Sequence, residues 1–149
     1  MPEPVIRHAT SVDLTDVLAL YRQLNPGDPV VDLATAEPIW QALLTSGLTT
    51  VFVAEVGGRA VACCTLAIVP NLSRGARPYA VIENVVTDAD HRQMGLGRAI
   101  LHAACAKAWE AHCYKVLLAT GSTEESTLRF YEGAGFTRNS KTYFEIRRQ

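Results

Sequence analysis

Residues Asp90 to Leu101 read DHRQMGLGRAIL, two glycines between arginines at the head of a run in which Ile100, Ala104, Ala108 and Ala111 recur at the spacing of one helix face. A helix start leaves its first N–H groups without partners and carries the positive end of the helix dipole. Glycine at that point lets an anion approach the backbone closely. The stretch therefore has the chemistry of a phosphate site. Two phosphate loops are excluded by spacing: no Gly-Lys-Ser/Thr closes it, and Gly95-Leu96-Gly97 lacks the third glycine of a dinucleotide fingerprint. Two glycines in a purely structural turn would look the same, so the surrounding chain has to decide.

Working outward, YAVIENVVT (79–87) is a strand running directly into this loop, and the polar, proline-bounded PNLSRGARP (70–78) precedes it. Further back, TTVFVAEV (49–56), Gly57-Gly58 and RAVACCTLAIV (59–69) form a hairpin signal, two β-rich runs about a two-glycine turn. PVIRHA (4–9) is a first strand. Thr10 or Ser11 caps a helix with Leu14, Val17, Leu18 and Tyr21 on one face, ended by NPGDP. A second helix is expected over Thr35 to Ser46, its regular part starting late because of Pro38. After the glycine-led helix come a strand YKVLLAT (114–120), a capping box at Ser122-Thr-Glu-Glu125, a short helix through Phe130 and Tyr131 ended by GAGF, and a last strand KTYFEIR (141–147). The order β-α-α-β-β-β-α-β-α-β describes an α+β (mixed α/β) domain, a mixed, mostly antiparallel sheet flanked by helices, spanning residues 1–149.

With 149 residues, 48% of them hydrophobic, the chain can bury one sizeable core, and a net charge of −1 gives no basic footprint for nucleic acid. Apolar runs are too short for a membrane span and MPEPVIRHAT has no signal-peptide h-region, so a cytoplasmic location is expected. Cys63, Cys64, Cys105 and Cys113 show neither zinc nor disulfide spacing and read as reduced packing residues; His112-Cys113 is a helix end rather than a metal pair. No metal is expected.

Arg92-x-x-Gly95-x-Gly97, after a strand and opening a long helix, resembles the acetyl-CoA pyrophosphate loop of the GNAT superfamily of N-acetyltransferases, and the likeness runs from about Val81 to Phe136. VIENVVTDADHR, CYKVLL and LRFYEGAGF are most similar to the small-amine branch that includes glucosamine-6-phosphate N-acetyltransferase. The resemblance implies the GNAT fold with acetyl-CoA as co-substrate. It implies that backbone N–H groups of Arg92, Gln93, Met94, Gly95, Leu96, Gly97 and Arg98 cradle the pyrophosphate. Val85 and Val86 would pair through their backbone with the pantetheine arm, and the helix around Ser126, Leu128, Arg129 and Tyr131 would flank the cofactor.

Acyl transfer from a thioester to an amine needs an ammonium deprotonated, an oxyanion stabilised and a thiolate protonated. Glu83 stands in an apolar strand, on the face of Val81 and Val85 by alternation, where a buried carboxylate is costly unless it has a partner or a task. An ordinary rim carboxylate would pair with Arg74, Arg77 or Arg92. The family pattern makes Glu83 a general base acting through water, or the group that binds the ammonium. It makes Tyr131 the acid for the thiolate, where a core aromatic is the ordinary reading, and the N–H of Val85 the oxyanion donor beside a strand bulge. Asn84 stands where the amino-sugar enzymes usually carry an acidic residue, so the resemblance leaves the acceptor open. Arg74 and Arg77 are either a phosphate site or solvated charges.

The expected activity is acetyl transfer from acetyl-CoA to a primary amine of a small molecule, an amino sugar phosphate being one candidate, by direct attack in a ternary complex. A protein N-terminus or lysine as acceptor, and a non-catalytic acetyl-CoA sensor, are the alternatives; a protein that binds acetyl-CoA and modifies no amine favours the last. The last strand and the hairpin edge offer pairing for a homodimer.

Overall fold

In a computed structural model, residues 2–149 are described. They divide into two compact units, one ending at Leu118 and the other covering Ala119–Gln149.

The first unit is built on a sheet ordered β1 (Val5–His8), β2 (Thr49–Val56), β3 (Arg59–Val69), β4 (Tyr79–Thr87) and β5 (Val116–Leu117). Neighbours are antiparallel except β4 and β5, which run parallel. Gly57 and Gly58 turn the β2–β3 hairpin at φ 58° and 81°, the paired positive angles that only such a turn sequence reaches without strain. Side-chain alternation then gives the sheet two apolar faces. Val51, Val53 and Cys63 pack with Leu14, Val17 and Leu20 of α1 (Leu14–Leu24) and with Ala36 and Trp40 of α2 (Leu33–Thr45). Intervening residues such as Phe52, Ala54, Ala62, Cys64 and Leu66 are buried on the other face, which α4 (Leu96–Glu110) covers with Leu96, Ile100, Leu101, Ala104 and Ala108. At about 25 cal/mol per Å² of apolar surface removed from water, these two layers supply the main stabilisation of the unit.

Polar groups lock the entry to α1. Arg7 on β1 grips both oxygens of Asp13 (2.8 and 3.0 Å) and reaches Glu55 on β2 at 2.8 Å. Asp13 also accepts the Thr10 N–H at 2.7 Å, and Trp40 donates its indole N–H to the Thr10 carbonyl at 3.2 Å, so this corner ties β1, α1 and α2 together. Asp32 caps α2 by accepting the Thr35 N–H at 2.7 Å, which starts the helix at Leu33; Pro38 lies inside it, and the expected late start is not observed. Losing one N–H near the first turns leaves a helix whose cap and buried Trp40 hold it. Between β3 and β4 the short α3 (Ser73–Ala76) is a turn with Arg74, Gly75 and Ala76 at φ 57°, 71° and 61°, pinned where Asn71 donates to the carbonyls of Ser73 (3.2 Å) and Arg77 (3.0 Å).

The second unit contains α5 (Glu125–Gly133). Two expectations fail here for physical reasons. The capping box at Ser122 does not form: Ser122 Oγ accepts from the Glu124 N–H at 3.2 Å and the helix begins at Glu125. The last strand is also absent, residues 142–149 carrying no regular structure. That segment is extended enough for Tyr143 and Arg147 to reach Glu145 from positions two residues away (2.7 and 3.0 Å), but Phe144 and Ile146 are 86% and 97% exposed. Alternation provides a strand with faces and cannot provide the ladder partner that makes it one. Likewise YKVLLAT yields only the two paired residues of β5.

Candidate active site

β4 enters the site with a defect in its ladder. Thr65 pairs with Glu83 and Cys63 with Val86, so one residue of β3, Cys64, faces two of β4, Asn84 and Val85. Asn84 occupies φ 56°, a left-handed conformation that asparagine tolerates better than other side chains with a Cβ. The result is a β-bulge, which leaves a backbone group of the bulged strand outside the ladder and redirects the chain. It also corrects the alternation read from sequence. Cys63 and Thr65 share a face, so their partners Glu83 and Val86 do too, and Val85 does not share it. Tyr21 of α1 lies against the bulge, its hydroxyl meeting the side chains of Thr65 and Asn84. Burial, reinforced by Cys63 nearby, pushes its hydroxyl up to about 12, so it serves as a neutral donor and acceptor.

Glu83 itself is exposed, which removes the burial cost expected for it, and among the described residues it has neither an ion-pair nor a hydrogen-bond partner. The arginines offered as partners are turned elsewhere. Arg77 donates to the carbonyls of His112 (3.2 Å) and Cys113 (3.4 Å), Arg74 lies 5.6 Å from the centroid of the Tyr114 ring, and Arg92 donates to the Thr87 carbonyl at 3.3 Å. A solvent-facing carboxylate beside a bulge is available to take a proton or hold a cation.

From β4 the chain passes through a 3-10 turn, Ala89–His91, into the loop. Arg92 is extended, Gln93 is at φ 62°, and Gly95 caps α4 at φ 78°. The Ala99 N–H bonds to the Gly95 carbonyl at 3.0 Å, so the N–H groups of Leu96, Gly97 and Arg98 lie ahead of the first intrahelical bond. A Cβ built on Gly95 would meet nothing within 4 Å, so the glycine is held there by its positive φ and not by crowding. Arg92 and Arg98 are exposed, whereas Leu96 is buried and anchors the turn. Unpaired N–H groups, a helix dipole and two exposed cations suit a pyrophosphate. Glu83, Val85 and Val86 on β4 and Arg92, Gln93, Met94, Gly95, Leu96, Gly97 and Arg98 at the start of α4 all lie in the first unit, on consecutive segments of the chain.

The second unit holds the remaining candidates on α5: Ser126 and Arg129 exposed, Leu128 and Tyr131 half-buried. Tyr131 sits edge-on between Phe130 (5.0 Å between ring centroids) and Phe136 (6.4 Å), and its carbonyl accepts the Phe136 N–H at 3.1 Å. Arg138 closes the unit by pairing with Glu125 at 2.8 Å.

Sequence reading expected a bulge beside this strand from the family resemblance but did not place it at Asn84, and it missed Tyr21 and the side chains of Gln23, Asp88 and His91 that hold the loop entry. An asparagine inside an otherwise apolar strand was the available signal for the bulge. No helix is long and apolar enough to cross a membrane, and no group of three metal-binding side chains occurs among the described residues.

Comparison with known proteins agrees with this geometry. The model of the acetyltransferase (GNAT) family matches residues 15–136. A glucosamine 6-phosphate N-acetyltransferase of Trypanosoma brucei brucei is 33% identical over 129 residues, 87% of this chain and 86% of the relative. The solved structure of an Agrobacterium tumefaciens protein assigned as an acetyltransferase is 46% identical with a TM-score of 0.92, covering 97% of this chain and 99% of that one. A Trypanosoma brucei acetyltransferase structure is 29% identical with a TM-score of 0.80, covering 99% of each chain. The bulged strand, the glycine-led helix and a family match over most of the chain lead to one conclusion: this chain belongs to the acetyltransferase (GNAT) family.

Proposed function

We propose that the chain is a single N-acetyltransferase domain over residues 1–149 that moves the acetyl group of acetyl-CoA to a primary amine of a small molecule. The observation that carries this reading is the donor-lined, glycine-capped start of α4 shortly after a bulged strand with an unpartnered carboxylate. The glucosamine 6-phosphate relative makes amino sugar phosphates the first acceptor class to test.

Acetyl-CoA supplies an activated thioester, so the protein's work is to bind, orient and move protons. N–H groups from Gln93 to Arg98 hold the pyrophosphate, and the backbone of Val85 and Val86 pairs with the pantetheine arm. The Val85 N–H, at the bulge, is the donor for the developing oxyanion. Glu83 accepts the ammonium proton through water, or holds the ammonium before it is lost. Tyr131 donates its hydroxyl proton to the departing thiolate, with Ser126, Leu128 and Arg129 beside the cofactor. The enzyme works in the cytoplasm, a compartment suited to its free cysteines, and as a homodimer that uses the strand-patterned segment 141–147.

The test is mass detection of acetylated product after incubation with acetyl-CoA and a panel of glucosamine 6-phosphate, polyamines, amino acids and peptides. Acetylation of a small amine that falls at least ~100-fold in Glu83→Gln and in Tyr131→Phe supports the reading. For Tyr131→Phe the loss should be in turnover, with acetyl-CoA affinity kept; equal losses in both remove its role as the acid. Acetylation of peptides alone overturns the small-amine acceptor, and acetyl-CoA binding without any product favours a sensor.

A further inference from the structure

The turn that leads into the glycine loop is held by a helix to which no part of the chemistry above has been given. Asp88, at the end of β4, donates its N–H to the Val61 carbonyl at 2.8 Å. One oxygen of its carboxylate accepts the Asp90 N–H at 3.2 Å and faces His91 Nδ1 at 2.7 Å. The other oxygen accepts from Gln23 Nε2 at 2.7 Å, and Gln23 Oε1 in turn accepts the Ala89 N–H at 3.0 Å. Gln23 lies in the last turn of α1, and with the two ends of one amide it grips a side chain and a main-chain group in successive residues. Glutamine fits because it offers a donor to a carboxylate and an acceptor to an N–H at once. The Gln23 bond first, and His91 next, hold the Asp88 carboxyl below its ordinary range, which keeps it an ionised acceptor.

Four residues beyond Ala89, Gln93 adopts φ 62°, a conformation that persists in a side chain with a Cβ only where its surroundings over-determine it. We propose that Gln23 is a positioning residue for acetyl-CoA, fixing the start of the Arg92–Arg98 loop through Asp88 and Ala89. The proposal rests on the reading of that loop as the pyrophosphate site. Its consequence is that α1 contributes to cofactor affinity through preorganisation, without itself supplying a pyrophosphate donor.

Titration calorimetry of the full chain with acetyl-CoA tests it. Gln23→Ala should raise Kd about 3- to 10-fold, the size of a lost pair of partly exposed hydrogen bonds. Gln23→Glu keeps the acceptor for the Ala89 N–H and sets a second carboxylate against Asp88. Its deficit relative to wild type at the same pH should be largest near about pH 7.5 and shrink towards about pH 5, where a shared proton restores the donor. The other charged groups around the adjoining cleft are Asp16, Arg59 and His91, and His91 Nδ1 lies 2.7 Å from the same Asp88 carboxylate, so the pH series is repeated with Gln23→Glu on a His91→Gln background, where the pH-dependent deficit must persist. If Gln23→Ala lacks a thermal transition, Gln23→Glu carries the test alone. Wild-type affinity in both variants overturns the clamp and leaves the pyrophosphate reading standing. A deficit in Gln23→Glu that ignores pH also overturns it, because lost packing does not titrate. Wild-type protein without affinity for acetyl-CoA overturns the reading and the proposal together.

Discussion

Among the described residues Asp13 is the buried charged one: it is 4% exposed and bound by Arg7 and Thr10. The Arg7 guanidinium, followed by the Thr10 N–H, holds its carboxyl below the ordinary aspartate range against the opposing cost of burial. A carboxyl that is more acidic when folded stabilises the fold above its unfolded value and loses that contribution as pH falls through the folded one. Asp13→Asn should therefore lower stability at neutral pH by about 1–3 kcal/mol, the scale of a hydrogen-bonded charge left without its partner. The gap from wild type should close as pH drops below about 4. Denaturant melts of both proteins across that range check it, and a gap that stays constant with pH would show that packing, rather than the Arg7 pair, is what Asp13 provides. Nothing in the sequence announced this residue, because its partner Arg7 stands on another element and only the fold sets them together.

At the scale of elements, the site depends on two backbone devices, and each contradicts ordinary propensity. Valine is a better strand former than asparagine, yet residue 84 at φ 56° is where a β-branched side chain is most strained. Asn84→Val should cost about 2 kcal/mol, whereas Asn84→Gly, which enters the left-handed region freely, should stay within about 1 kcal/mol of wild type despite losing its contact with Tyr21. Equal stability of the valine and glycine variants, measured by chemical denaturation, would mean that the bulge relaxes away. The second device is Gly95 at φ 78°. Gly95→Ala strains the cap at φ 78° by about 1 kcal/mol and displaces the backbone that presents the free N–H groups, so acetyl-CoA affinity should fall about tenfold or more while the protein remains folded. Undiminished affinity would rule out this helix start as the pyrophosphate cradle. Of these two devices the loop was legible, because its glycines and the following helix are contiguous in sequence. The bulge was expected through family resemblance alone, since register between β3 and β4 is a pairing property that neither strand encodes locally.

For the molecule as a whole, the same distinction separates what the sequence revealed from what it did not. Strands β2, β3 and β4 and helices α1 and α4 were legible because each has its own periodicity, and the two-glycine hairpin fixes its pairing by a local turn. The segment 141–147 has strand periodicity too, but residues 142–149 carry no regular structure, and Phe144 and Ile146 are exposed. A strand-patterned segment with exposed apolar side chains favours pairing with another chain. A second copy is the occupant that the homodimer proposal requires, and isologous pairing would bury Phe144 and Ile146 of each chain against the other. Removing residues 141–149 should therefore convert a dimer into a monomer in light scattering coupled to size exclusion, at concentrations of about 10 μM, where an interface of ordinary strength is saturated. Phe144→Lys with Ile146→Lys should do the same without shortening the chain, since like charges placed at a pairing edge oppose association. Full-length protein that is monomeric under these conditions would exclude the dimer, and a truncated chain that stays dimeric would move the interface to another edge of the sheet, the β1 strand being the exposed alternative.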